Sequence, residues 1–170
     1  MVHIREERPE DKVAIRKVNE QAFGQPQEAN LVDTLRRNCG DFLSLVAVAD
    51  EQIVGHALFS PVTVETDREK VLGMGLGPMA VLPGHQRQGV GTQLIKYGIS
   101  KLRVDGCPFI IVLGHPEYYP RFGFKPASRH GISSEWQVPD NAFMVFVFDQ
   151  SKMAGQALTN PNHHHQKEAS

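Results

Sequence analysis

The sequence predicts an α+β domain built on a mixed sheet. Three observations carry that expectation. The N-terminal quarter reads as a strand followed by two amphipathic helices. Strand-like segments from residue 42 onward are then joined by short polar turns, which favour antiparallel neighbours. Finally, an apolar run at 79–82 is joined to another at 108–113 through a helix, and a helical crossover gives parallel, right-handed units.

Val2 to Arg8 alternates loosely and reads as a first strand. Pro9-Glu10-Asp11 supply the proline and acids of a first helical turn, and Val13, Ala14, Val18, Ala22 and Phe23 form the expected apolar face. A break at Gly24-Gln25-Pro26 precedes a second helix carrying Ala29, Leu31, Val32 and Leu35, which ends near Asn38-Cys39-Gly40. Phe42–Ala49 and Ile53–Glu65 read as strands around a turn at Asp50-Glu51-Gln52. Thr66 to Glu69 turns the chain back toward a short central strand, Met79-Ala80-Val81-Leu82, bounded by Pro78 and Pro83. Beyond the next turn, Val90, Leu94, Gly98 and Leu102 recur every four residues with Ile95 and Ile99 beside them, so a helix runs to about Asp105-Gly106. Pro108–Leu113 is a continuous apolar, β-branched run, and Ala142–Phe148 is the last strand. Residues 1–150 read as a single domain, and 151–170 as a polar tail without periodicity.

The chemistry concentrates in residues 76–94. A strand ends at Val81-Leu82-Pro83, the polar turn Gly84-His85-Gln86-Arg87-Gln88 comes next, and Gly89-Val90-Gly91 open the helix. The first N–H groups of a helix have no intrahelical partner and carry the positive end of its dipole. Glycine there lets an anion reach the backbone, and Arg87 adds fixed charge. Binding of a phosphate or pyrophosphate is the chemistry implied. No G-x-x-x-x-G-K-[ST] occurs, which argues against a nucleoside-triphosphate loop. Gly75 to Ala80 matches G-x-G-x-x-A formally, but Pro78 and the strand-like run after it are wrong for a helix start.

Gln86-Arg87-Gln88-Gly89-Val90-Gly91, between that strand and that helix, resembles the Q/R-x-x-G-x-G/A signature of the GNAT superfamily of N-acetyltransferases. A second segment, Val112 to Phe124, holds Tyr119 four residues before Gly123-Phe124 and resembles the aromatic-Tyr-x-x-x-Gly-Phe signature of the same superfamily. Taken whole, it looks most like the YhbS-like branch. With the strand that leads into the first, the two signatures span about 50 residues (76–124), and a weaker resemblance extends over 1–150. The resemblance implies the GNAT fold: a central, mostly antiparallel mixed sheet flanked by helices, with a splayed parallel strand pair. It implies acetyl-CoA as cosubstrate, with Gln86, Arg87, Gln88, Gly89, Val90, Gly91 and Thr92 around the pyrophosphate. Met79, Ala80 and Val81 would lie along the pantetheine arm, which pairs with the strand like an extra peptide. An amine would attack the thioester directly, a backbone N–H of that strand would hold the oxyanion, and Tyr119 would protonate the leaving thiolate, a phenol with an ordinary pKa of about 10. A homodimer is a form members of this superfamily often take.

The family's usual strand glutamate is missing, since residues 71–82 hold no carboxylate. The base candidates are His56, His115, Glu28 or a water chain. His56 also reads as a sheet histidine with both nitrogens satisfied, and His85 reads as positioning ligand or solvent. Gly24 to Glu28 is expected to border the acceptor, a primary amine on a small molecule or a protein. The missing glutamate motivates the alternative of a non-catalytic acyl-CoA-binding module. A hydrolase using Cys39 or Cys107 has no supporting motif.

Bulk properties exclude other classes. A net charge of −1 over 170 residues gives no basic footprint for nucleic acid. The charged N-terminus does not read as a signal peptide, no apolar run approaches a membrane span, and two isolated cysteines suit a reducing compartment, so a cytoplasmic protein is expected. His163-His164-His165 has no partner at metal-ligand spacing, and no metal is expected.

Overall fold

A computed structural model describes residues 1–66, 70–132, 138–149, 156–157 and 168–169. The backbone contacts divide into two units: residues 1–60, 77–101 and 167–170, and residues 61–76 and 102–166. Two long strands run through both, β3 (Gln52–Thr66) and β4 (Lys70–Val81).

In the first unit the strand order is β1-β2-β3-β4, with β1 (His3–Glu6) antiparallel to β2 (Leu43–Ala49) and β2 antiparallel to β3. Asp50 and Glu51 close the β2–β3 hairpin as a two-residue turn, both at positive φ, which matches the strand twist. Helix α1 (Lys12–Phe23) is entered through a 3-10 turn at Pro9–Asp11. There the Asp11 carboxylate accepts from the Arg8 backbone N–H and from Arg5, both at 2.7 Å. Gly24, at φ 68°, ends the helix by donating to the Glu20 carbonyl. Helix α2 (Gln27–Asn38) comes next, and Ile15, Val32 and Leu35 pack with Val46 and Leu58 of the sheet. The expected face of α1 is corrected in one place. Val13 is 70% exposed, because the buried stripe is Ile15, Val18 and Asn19, and Val13 lies off it at five residues from Val18.

Helix α3 (Val90–Val104) covers Gly55: a Cβ built there would lie 2.9 Å from Val90 and 3.3 Å from Leu94. Gly98 brings the helix against Phe59, whose ring would be 2.3 Å from an added Cβ. The expected four-residue stripe is therefore a packing face in which glycine supplies close approach.

In the second unit the order is β3-β4-β5-β7-β6. β5 (Phe109–Leu113) lies parallel to β4 through Met74↔Ile110, Gly75↔Ile111 and Leu76↔Val112, the pairing that the helical crossover predicts. β7 (Phe143–Val147) is antiparallel to β5 and to the short β6 (Lys125–Pro126). Val62, Val64, Val71, Phe109, Ile111, Phe143 and Val145 form its core. The architecture is thus α+β with a mixed sheet, as the sequence predicts. The central strand differs from its expected extent: it begins at Lys70, well before Met79. Pro78 does not bound it, and Gly73 within it faces the Phe109 ring, 2.5 Å from where a Cβ would stand, so the strand needs a glycine there.

Two two-residue strands come from beyond residue 150. β8 (Gln156–Ala157) pairs antiparallel with β3, and β9 (Glu168–Ala169) pairs parallel with β4. The three adjacent histidines at 163–165 lie outside the described residues.

Candidate functional site

The strand-turn-helix stretch is contiguous within the first unit. β4 ends in Met79, Ala80 and Val81, all fully buried. Leu82 N then donates to Val54 O at 2.8 Å, which ties the start of the turn to β3. A 3-10 turn, Pro83–His85, closes with His85 N donating to Leu82 O at 2.8 Å. Two glutamine side chains brace the loop beyond it: Gln86 Nε2 donates back to Val81 O at 3.0 Å, and Gln88 Nε2 to Gly84 O at 3.3 Å. Between them Arg87 sits at φ 63°, and Gly89 just after them at φ 82°. Arg87 in this region costs about 1–2 kcal/mol of backbone strain, which the braces on either side hold in place.

The i to i−4 ladder of α3 starts with Gln93 N donating to Gly89 O at 3.0 Å. The amides of Val90, Gly91 and Thr92 precede it and carry the positive end of the dipole. A Cβ on Gly89 would meet nothing within 4 Å, so the space above the turn is open. Arg87, Gln88 and Gly89 lie at the surface of the turn. An anion arriving here would meet the positive end of the α3 dipole, with the exposed Arg87 in the same turn. The arrangement fits a diphosphate. His85 adds a detail that its position in the sequence does not reveal: its Nδ1 is buried without a hydrogen-bond partner.

Tyr119 belongs to the second unit, at the head of a 3-10 turn, Tyr119–Phe122, and is fully buried. Its ring meets Tyr118 edge-on at 5.2 Å and Phe124 at 5.5 Å. Gly123, at φ 103°, ends the turn and swings Phe124 under Tyr119, and a Cβ on it would stand 3.0 Å from Phe146. The Tyr-x-x-x-Gly-Phe spacing is therefore one folded aromatic unit. Tyr118 is instead half-buried, with Arg121 stacked 4.6 Å over its ring.

The base candidates fare differently. His56 is fully buried in a chain of hydrogen bonds. Asn19 Nδ2 lies 3.2 Å from His56 Nδ1 and can only donate, so the ring proton sits on Nε2 and goes to Ser44 Oγ at 2.9 Å. Ser44 donates to Glu7 at 2.8 Å, and Glu7 pairs with Arg36. Burial, aided by the Arg36 charge, lowers the His56 pKa to about 3. The ring is neutral with both nitrogens engaged, which makes it structural. Asn19, a polar residue within the apolar stripe of α1, is the one sequence signal of this network. Glu28 is buried in the first turn of α2 and accepts from Gln25 Nε2 at 2.9 and 3.1 Å. His115 is exposed, and its carbonyl accepts from the Tyr118 and Tyr119 backbone. Among the described residues no group of three His, Cys, Asp or Glu side chains could hold a metal ion, and no helix is long and apolar enough to cross a membrane.

Comparison with known proteins identifies the family. The family model for the acetyltransferase (GNAT) domain matches residues 3–127. The uncharacterised N-acetyltransferase YjhQ of Escherichia coli K12 is 40% identical over 156 residues, 90% of this chain and 85% of its own length. Its K12 counterpart YhbS is 34% identical over 163 residues, 95% of this chain and 96% of its own. The crystal structure of YhbS from Escherichia coli in complex with CoA superposes with a TM-score of 0.82, at 32% identity over 93% of this chain and 89% of that one. A GNAT acetyltransferase from Brucella melitensis in complex with acetyl-CoA gives 0.70, at 34% identity over 98% and 93%. The chain belongs to the GNAT acetyltransferase family.

Proposed function

We propose that the protein transfers acetyl from acetyl-CoA to a primary amine by direct attack. The observation that carries this reading is the braced turn Gln86–Gly89 leading into the amides of α3, in a family whose solved neighbours were crystallised with CoA and acetyl-CoA. The pyrophosphate sits against Gln86 to Thr92, with Arg87 as its cation. The pantetheine arm runs along Met79, Ala80 and Val81, and a backbone N–H there donates to the oxyanion. The neutral amine attacks the thioester carbonyl, a C–N bond forms, the C–S bond breaks, and Tyr119 gives the departing thiolate its proton. The amine's own proton leaves through Glu28, His115 or solvent, since His56 is closed to it. The neutral-to-acidic segment Gly24–Glu28 permits a cationic acceptor, free or on a protein. Two free cysteines fit a cytoplasmic setting.

Calorimetric titration of acetyl-CoA into wild type, Gly89→Ala and Gly89→Glu tests the site. Alanine adds only the backbone strain at φ 82°, about 1 kcal/mol, and is expected to keep binding. Glutamate adds the same strain plus a carboxylate beside the phosphates, and is expected to abolish binding while the circular dichroism stays that of wild type. Equal affinity in all three proteins would remove the diphosphate from this turn. Binding without turnover on an amine panel would favour the non-catalytic acyl-CoA module, which the strand's missing carboxylate allows.

A further inference from the structure

The β4–β5 ladder stops at Leu76↔Val112, just before Gly77-Pro78, and proline has no N–H to continue it. β4 nevertheless goes on to Val81, and its buried backbone polar groups need partners. They find one in the chain itself: Met79 pairs with Glu168 and Ala80 with Ala169, in parallel, inside the first unit. Met79 and Ala80 are the positions along which the proposed function lays the pantetheine arm, an extended chain with amides of its own.

We propose that the segment Glu168–Ala169 is an internal occupant of the acyl-carrier groove, so that it and acetyl-CoA compete for one edge of β4. This rests on the proposed cofactor reading and adds a regulator to that site. Both occupants satisfy the same backbone groups, which makes their binding mutually exclusive. The protein with residues 168–169 docked has its diphosphate turn open, since that turn lies beyond the two paired residues. Apparent affinity for the whole cosubstrate is then reduced by the fraction of molecules whose edge is vacant. Affinity for a fragment that carries only the nucleotide phosphates is not. Any partner that draws residues 168–169 away raises activity without touching the catalytic groups.

The test uses the full chain and the double variant Glu168→Pro/Ala169→Pro, which removes two N–H donors and disfavours a ladder strand. Acetyl-CoA and 3′,5′-ADP, the nucleotide part of the cosubstrate without its arm, are titrated into each. The expected result is acetyl-CoA binding tighter in the variant by about three- to tenfold, the range that one net backbone hydrogen bond supplies. Binding of 3′,5′-ADP stays equal in the two proteins. Amide exchange without ligand gives a second readout, in which protection at Met79 to Val81 falls in the variant. Equal acetyl-CoA affinity with unchanged amide protection would overturn the competition while leaving the cofactor site standing. Failure of both proteins to bind acetyl-CoA, with protection still lost in the variant, would instead overturn the cofactor reading and the competition with it.

Discussion

At the residue scale, Tyr119 is the group whose role is most sharply testable. Its ring is fully buried between Tyr118 and Phe124, so Tyr119→Phe keeps the volume and both edge-on contacts and removes only the hydroxyl. If that hydroxyl protonates the leaving thiolate, kcat is expected to fall by about a hundredfold, within the usual range for a general acid, while acetyl-CoA affinity changes less than about twofold. Parallel losses in both would mark the hydroxyl as part of ground-state binding. The phosphate turn is legible in the sequence because its chemistry is local: consecutive residues from Gln86 to Gly91 specify it. The His56 chain is not legible as a chain. Asn19, Ser44 and Glu7 reach it across 37, 12 and, between Glu7 and Ser44, 37 positions, and only the fold makes them neighbours.

At the element scale, glycine is where the sequence misleads most. In β4 the glycines at 73, 75 and 77 conceal most of a 12-residue strand, because a run of glycines reads as a loop until the ring lying over one of them is seen. The short β6 leaves no sequence signal, being two residues long with a proline. In α3 the four-residue stripe is legible, but the reason for Gly98 is not. Intrinsic propensity favours Gly98→Ala by about 1 kcal/mol. Steric contact decides otherwise: the new Cβ stands 2.3 Å from Cζ of the fully buried Phe59, and overpacking of this kind costs about 1–3 kcal/mol. Gly98→Ala is therefore expected to lower the urea midpoint, and Phe59→Leu is expected to be less damaging in the alanine background than alone. Additive effects of the two changes would show that the ring and the helix are not in conflict.

At the scale of the whole molecule, the shifted groups set where along the pH axis the fold is most stable. His56 binds a proton at about 3 when folded and at an ordinary 6.5 when unfolded, so below pH 6.5 the unfolded chain holds the extra proton. Stability must fall as pH drops from 6.5 toward 3, by about 1.4 kcal/mol per unit once the unfolded imidazole is charged. Asp11, held below its ordinary 3.8 mainly by its hydrogen bonds to Arg5, adds a further loss at more acid pH. Cys107 works from the other side. Burial raises its thiol above an ordinary 9.0, so the unfolded chain loses that proton first and stability declines as pH rises past 9. The contributions of these three groups are together flat between about pH 6.5 and 9, although the formal net charge of −1 identifies none of them. Urea unfolding from pH 5 to 7 checks the contribution of His56, the largest of the three. His56→Gln is expected to be less stable than wild type at pH 7, because Ser44 and Asn19 lose a shaped partner. Its stability is nevertheless expected to vary with pH by about one proton less. A slope that survives the substitution unchanged would assign the acid sensitivity to carboxylates, and would mean that the imidazole is reached by water in the folded protein.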